Sequence, residues 1–312
     1  MDLVDFGYRV MVNLTADFTG LDRRQKTPEE TADLMALLRL FGKTATLAHA
    51  TGEKDTVRND AAEALERFDE TYVQPSIDRR RSILEKLHKG EIEEESLPRD
   101  ILMVLLRNED NIELPREVIT REMAFFALAG AHTSIHTLTH ATHELLGWLE
   151  SHPTKRETIL DEPRLIQKCI LESIRLHPSS PIAARRALCP MTVESETLDK
   201  DAKVVIDLQA ANRSKEIFGE DADQFNPDRI LPKGQSRYGL SFGQGMHACL
   251  GLNLAAGILP AEGKPVDHKG TIALIVEALV KKGIRKDPYQ KPEKDPSTAR
   301  DLWGYYPVRF QS

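Results

Sequence analysis

The sequence predicts a mostly α fold with a minor β part, arranged as a single large helical domain, and three observations carry that prediction. Apolar residues recur at helical spacing through the first half, starting with Leu3, Phe6, Val10 and Leu14. One helical stretch, Arg116 to Leu149, is long and apolar enough to cross the core. Period-two alternation is confined to short patches, which limits the β part.

The elements follow in chain order. Gly20 breaks the first helix, and Thr27-Pro28 opens the next, with Thr27 as N-cap and Pro28 in the first turn. The polar run Lys86 to Arg99 is a further break. The long helix opens near Pro115, carries Met123, Phe126, Ala127 and Gly130, and ends near His152-Pro153. Another helix runs from Pro163 to about Leu176 and stops before Pro178. Val193, Val204, Ile206 and Leu208 place short strands between Met191 and Ala210. From Ala211 to Gly251 the density of Gly, Pro, Asn and Asp marks a long loop region, the kind of segment that carries function in a compact domain. Helix returns from about Thr271 to Lys282, and the ending LWGYYPVRF reads as a strand pair.

Composition narrows the function classes. With 312 residues, 40% hydrophobic and 29% charged, the chain is neither disordered nor collagenous. Its 42 Lys+Arg against 49 Asp+Glu give a net charge of −7, which favours neither nucleic acid nor an anionic membrane. Cys169, Cys189 and Cys249 form no C-x-x-C and no paired framework, which suits a reducing compartment. The start MDLVDFGYRV has no basic n-region, and no spanning helix is predicted, so the expected location is cytoplasmic.

Within the long loop lies Phe242-Gly-Gln-Gly-Met-His-Ala-Cys249-Leu-Gly251, followed by a helical run Leu252 to Ala256. A cysteine becomes a ligand when backbone N–H groups and a helix dipole favour its thiolate, and Gly243, Gly245 and Gly251 permit a turn that aims such donors at sulfur. Phe242 can cover the apolar side of that sulfur, and a shielded thiolate is the ligand that pushes electron density onto haem iron. The plainer reading is a Gly-rich turn around a buried cysteine. Cys169 and Cys189 read as small packed hydrophobes.

The companions of this loop resemble those of the cytochrome P-450 family of haem-thiolate monooxygenases. The family's F-x-x-G-x-x-x-C-x-G pattern is filled by Phe242, Gly245, Cys249 and Gly251. Its upstream E-x-x-R is matched by Glu172-Ser-Ile-Arg175, and its later arginine by Arg229 in Phe225-Asn-Pro-Asp-Arg229. The resemblance implies that Glu172, Arg175 and Arg229 form a buried ionic cluster whose loss costs several kcal/mol by rough estimate. As a lone i,i+3 pair, Glu172 and Arg175 would contribute only about 0.2–0.5 kcal/mol.

By the same resemblance, Ala129-Gly130-Ala131-His132-Thr133 occupies the family's A-G-x-acid-T motif. Gly130 would leave space for dioxygen, and Thr133 would hydrogen-bond it and help deliver protons. His132 stands where the family usually has Asp or Glu, and an imidazole with a pKa of about 6.5 can replace the acid as proton shuttle. Arg185 and His247 stand at propionate-binding positions of the cofactor, haem b, with Cys249 on the iron; Arg186 is the alternative to Arg185. The implied partners are a small apolar substrate, dioxygen and a separate electron donor such as a ferredoxin with its reductase. Leu34 to Phe41, Ala127 to Thr133, Pro181 to Ala184 and the turn near Trp303 would line the substrate pocket.

Two departures from the family accompany these matches. The fold is N-terminally short: the sheet, substrate-covering loop and first helices that usually precede Met1 to Gly20 are not found. The segment Gly257 to Gly270 interrupts the helix after the cysteine and reads as a surface loop, near which Lys233, Arg237, Lys264 and Lys269 could meet an acidic electron donor. The alternatives are a truncated noncatalytic relative with weak or no haem binding, and a peroxide-driven haem enzyme. A zinc or di-metal hydrolase built on His132, His136, His140 and Glu144 ranks behind these, because three successive i,i+4 histidines span too much helix for one ion and H-E-x-x-H is absent.

Overall fold

Asp2 accepts a hydrogen bond from the Val4 amide at 3.0 Å and starts α1 (Leu3–Thr19), which ends where Gly20 turns left-handed at φ 87°. Thr27 caps α2 (Pro28–Ala45) by accepting from the Glu30 amide at 3.2 Å, with Pro28 in the first turn as predicted. The coordinates, a computed structural model, describe residues 1–49, 53–261 and 263–311. Next come α3 (Lys54–Phe68), a π-helical turn at Asp69–Val73, and α4 (Gln74–His88), which stops inside the predicted polar break. Asp100 caps α5 (Ile101–Arg107) through the Met103 amide and also binds the buried Arg80 guanidinium at 2.8 Å. The short α6 (Glu109–Ile112) leads into α7 (Arg116–Ser151), whose 36 residues make a rod of about 54 Å.

The chain divides into two compact units, and the division falls within α7. The first is Met1–Ile135 with Pro292–Tyr306. Its core packs α1 on α2 and α2 on α3, with Phe41 edge-on to Phe68 at 5.4 Å between centroids. Leu34, Leu38 and Phe41, read from sequence as pocket-lining, are buried in this core. The strands β6 (Glu293–Lys294) and β7 (Trp303–Tyr305) pair antiparallel, and the Leu3 amide donates to the Tyr306 carbonyl at 2.8 Å, tying this ribbon to the start of α1.

The second unit is His136–Lys291 with Pro307–Ser312. It holds α8 (Pro153–Thr158), the buried α9 (Pro163–Leu176), and the short helices α10 (Leu208–Ala211) and α11 (Lys215–Phe218). After these come α12 (Leu252–Ala256) and α13 (Thr271–Lys281). The strand β1 (Ile182–Arg186) pairs with β4 (Lys203–Asp207), and β2 (Met191–Val193) with β3 (Glu196–Leu198), all antiparallel. The final LWGYYPVRF does contain two strands, but they are not a hairpin: β7 pairs with β6, and β8 (Val308–Phe310) pairs with β5 (Ile284–Lys286). Tyr306 and Pro307 separate them, and each strand finds its partner elsewhere in the chain.

The interruption after α12 has a steric basis. Gly257, at φ 71°, approaches Gly270 so closely that a Cβ on Gly257 would lie 2.3 Å from the Gly270 nitrogen. The chain therefore leaves and rejoins at a two-glycine crossing. The Ile258 amide donates to the His268 carbonyl at 2.9 Å, closing the base of the exposed loop. Cys169 is buried on α9, and burial holds its thiol above the usual range, as a packed hydrophobe requires. Cys189 is exposed instead, in the turn between β1 and β2, so the packed role predicted for it is corrected. Among the described residues, no helix is long and apolar enough to cross a membrane.

Candidate functional site

In the second unit, α9 carries Glu172 and Arg175 one turn apart on its buried face, each with side chains 0% exposed. The pair is bidentate: Arg175 Nη2 reaches Glu172 Oε1 at 2.7 Å and Nε reaches Oε2 at 2.9 Å. Arg229, from the loop before the cysteine, adds Nε to Oε1 at 3.1 Å. The Asn226 amide donates to the same oxygen. Both arginines then spend their remaining donors on the loop backbone. Arg175 Nη1 holds the carbonyls of Asn212 (2.6 Å) and Ala222 (2.7 Å), and Arg229 holds those of Phe218, Asp221 and Gln224. The buried cluster implied by the family resemblance is therefore formed, and it is the frame on which a segment poor in regular structure is hung.

The link from this frame to the cysteine loop is Asn212, which is fully buried and was not singled out from sequence. Its Nδ2 donates to the Arg175 carbonyl at 3.0 Å and to Ser241 Oγ at 2.9 Å, while its Oδ1 accepts from the Leu240 amide at 2.7 Å. Ser241 Oγ in turn donates to the Ile174 carbonyl at 2.7 Å, fixing the residue before Phe242 against α9. A lone asparagine in a loop has no periodic signal, so only the fold reveals this role. Gly239, at φ 59°, gives it room, since a Cβ there would lie 2.2 Å from Asn212 Oδ1.

The loop closes on itself through the Cys249 amide, which donates to the Phe242 carbonyl at 2.8 Å. Gly243 and Gly245 have φ of 67° and 66°, where side chains are strained, whereas Gly251 has an ordinary φ of −86° and caps α12. The left-handed turn therefore depends on two of the three glycines named from sequence. At Gly251 an added Cβ would only touch Cys249 Sγ, at 3.8 Å. At Gly243 it would press on the His247 carbonyl at 3.1 Å. Gly243→Ala is expected to cost about 1–2 kcal/mol through backbone strain alone, visible as a lower urea midpoint, with a smaller loss for Gly251→Ala.

Cys249 and His247 are exposed, and the neighbouring Met246 and Leu250 are 92% and 89% exposed. Phe242 is half-buried, edge-on to Tyr238 at 5.1 Å. On β1, successive residues alternate faces, which separates the two adjacent arginines: Arg186 makes an exposed ion pair with Asp201 at 3.8 Å, and Arg185 lies on the opposite face. Of the four cations proposed to meet an electron donor, Arg237 is committed to the carbonyls of Pro227 and Arg229, and Lys269 to Glu277 at 2.6 Å. Lys233 and Lys264 are exposed.

In the first unit, α7 displays Gly130, His132 and Thr133. A Cβ on Gly130 would lie 3.0 Å from Thr15 Cγ2, so the space at this glycine is taken by α1 packing close against α7, where the sequence reading gave it to dioxygen. Thr133 is exposed, and its Oγ1 donates to the Ala129 carbonyl at 2.7 Å. His132 Nε2 lies 3.0 Å from Arg300 Nη2, and Nδ1 lies 3.4 Å from the Tyr8 hydroxyl. Arg300 can only donate, so Nε2 is the acceptor and the ring is neutral. Burial first, and the Arg300 charge second, lower the His132 pKa to about 4. In the second unit His140 stacks on His177 at 4.2 Å, and His177 Nε2 pairs with Glu144 Oε1 at 2.7 Å. His132 and His140 thus serve different local networks.

The cytochrome P450 family model matches residues 55–259, more than half of the chain, and the chain belongs to that family. Among curated relatives it is 28% identical over 231 residues to ganoderic acid synthetase CYP5150L8 of Ganoderma lucidum, covering 57% of this chain and 41% of that one. It is 31% identical over 179 residues to cytochrome P450 monooxygenase BOT1 of Botryotinia fuckeliana, covering 50% and 34% respectively. The chain thus spans less than half the length of these relatives. Among solved structures, CalO2 matches with a TM-score of 0.71 at 22% identity over 100% of this chain and 68% of that one. Open EryK from S. erythraea matches with a TM-score of 0.72 at 19% identity, covering 100% and 70%. These likenesses show a mostly helical cytochrome P450 fold.

The residues present suit the group that this family binds. A single exposed thiol on a glycine-shaped turn, flanked by Met246 and Leu250 facing outward, fits a large flat apolar group with a metal at its centre. The donor set of one thiolate, without a second cysteine in the loop, suits haem rather than zinc or an iron–sulfur cluster.

Proposed function

We propose that the chain carries haem b through Cys249 and works as a monooxygenase on a small apolar organic substrate, using dioxygen and electrons from a separate donor such as a ferredoxin with its reductase. Bound haem supplies a redox-active iron at which dioxygen is reduced and one oxygen atom is passed to the substrate. The observation that carries this reading is the fully buried Glu172–Arg175–Arg229 frame, extended by Asn212 and Ser241 to the loop that presents Cys249. Its task is to fix the loop so that Cys249 would be held in place toward the bound group. Phe242, whose carbonyl accepts from the Cys249 amide, is assigned to the apolar side of the bound group's sulfur ligand. Arg185 and His247 are assigned to the cofactor's carboxylates, and Thr133, by its place in the motif, to proton delivery.

A second reading, peroxide-driven oxidation, is favoured by His132. A ring held neutral as the acceptor of Arg300 keeps its single N–H on Nδ1, beside the Tyr8 hydroxyl, and is not recharged to imidazolium at neutral pH, whereas peroxide brings its own protons and electrons to the reaction. His132 is then a positioning residue that fixes Arg300 and Tyr8. The test is haem titration of the chain followed by product analysis on a panel of apolar substrates, once with a ferredoxin, its reductase and dioxygen, and once with hydrogen peroxide alone. Uptake of one haem per chain with product from the donor system supports the main reading. Product only with peroxide supports the second, and absence of haem uptake leaves a noncatalytic relative.

A further inference from the structure

The β5–β8 ribbon places Arg285 directly opposite Arg309 in its register. Like charges facing each other across an antiparallel pair are destabilising, so the arrangement calls for a compensating anion. These two arginines line a cavity of about 690 Å³ that also receives Arg156 from α8 and Lys286 from β5. Among the described residues the one carboxylate at the cavity is Glu150, which pairs with Lys286 at 2.9 Å. Among the described residues no carboxylate lies within 4.0 Å of Arg156, Arg285 or Arg309: Arg285 binds the side chain of Gln311 and the Ile284 carbonyl, and Arg309 lies 5.8 Å from the Tyr289 ring. Burial, then the charge of Arg285, keep the Arg156 guanidinium below its usual range.

We propose that this cavity is an anion site for a phosphorylated small molecule whose charged end is a di- or polyphosphate. Three arginines line the cavity, where among the described residues four cations face one carboxylate, on a chain whose net charge is −7. The planar fork of arginine matches phosphate oxygens in pairs, and a doubly or triply charged group is needed to balance three of them. The volume lies within the range of small-ligand sites. Leu146 and Leu149 form an apolar floor, and Phe310, 39% exposed, stands at the rim, so the ligand also has an apolar or aromatic part. The site uses none of the residues assigned to haem, and it stands or falls independently of that assignment.

Calorimetric titration of the full chain with inorganic pyrophosphate at low salt should give saturable one-to-one binding, weakened at least about tenfold in the double variant Arg285→Gln, Arg309→Gln. Because that variant could also perturb the ribbon, the wild-type unfolding midpoint is measured in parallel. It should rise with pyrophosphate and not with chloride at equal ionic strength. Pelleting with diacylglycerol pyrophosphate vesicles, and not with phosphatidylcholine vesicles, would assign the diphosphate to a lipid headgroup, whereas pyrophosphate binding without pelleting assigns it to a soluble ligand. Absence of both, or pyrophosphate binding that survives the double substitution, overturns the proposal.

Discussion

Arg175→Ala is expected to lower folding stability by about 3–5 kcal/mol, the cost of breaking a buried ion pair from one side. The alanine leaves Glu172, 0% exposed, with one arginine instead of two, and it strips the Asn212 and Ala222 carbonyls of their buried donor. Each orphaned group adds its own desolvation cost. Arg175→Lys separates charge from geometry. It keeps a cation beside Glu172 but cannot reach the two carbonyls and the carboxylate together, so it should recover only part of the loss. Arg81→Ala is the control, because Arg81 is half-exposed and its pair with Glu109 should be worth no more than about 1 kcal/mol. Urea unfolding of the three variants checks all of these values. A loss of under 1 kcal/mol in Arg175→Ala would mean that the frame does not hold the cysteine loop.

The second large effect depends on pH and resides in the first unit. His132 is neutral in the folded chain, with its pKa lowered to about 4 by burial and by Arg300, while in the unfolded chain it titrates near the ordinary histidine value of about 6.5. Between these values the unfolded state binds the extra proton, so stability rises with pH across this window. The stabilisation is complete above about pH 6.5 and is lost as pH falls toward 4, by about 3 kcal/mol in all. The charged groups around the ring are Arg300 at 3.0 Å and the more distant Asp295, whose opposing effect is smaller than that of Arg300. His132→Gln keeps an acceptor for Arg300 and removes the titration. The difference between wild-type and variant unfolding free energies, measured from pH 7 to pH 4, should therefore change by that amount in favour of the variant. A difference that stays flat with pH would show that burial and Arg300 do not hold His132 neutral in the folded chain.

Much of the helical part was legible because local rules dominate it. Thr27 and Pro28 cap their helix for reasons contained in four residues, and the run Leu252 to Ala256 is helical over the predicted span. The strand β1 was not foreseen, because Ile182-Ala-Ala-Arg-Arg186 has neither branched alternation nor aromatic residues, and its pairing partner β4 begins 17 residues later. The ending failed as a strand pair for a related reason: each half is a good strand, but partner choice depends on distant segments. At the site, the motif supplied Glu172, Arg175 and Arg229, and their burial made an i,i+3 pair into a structural frame. Asn212 lay beyond reach, since its value comes from bonds to residues 28 and 37 positions away. Gly130 shows the opposite case. The motif gave the space at this interior helical glycine to dioxygen, and the packing of Thr15 on α1 fills it.

The central proposal is that Cys249 would supply the sulfur that holds haem iron. The most direct measurement is the carbon monoxide difference spectrum of the reduced, haem-loaded chain, compared with that of Cys249→Ser. A thiolate-ligated Soret band in the wild type, lost or moved in the variant, is the predicted result. An identical spectrum in the two proteins would contradict the assignment, because the iron would then take its ligand from elsewhere.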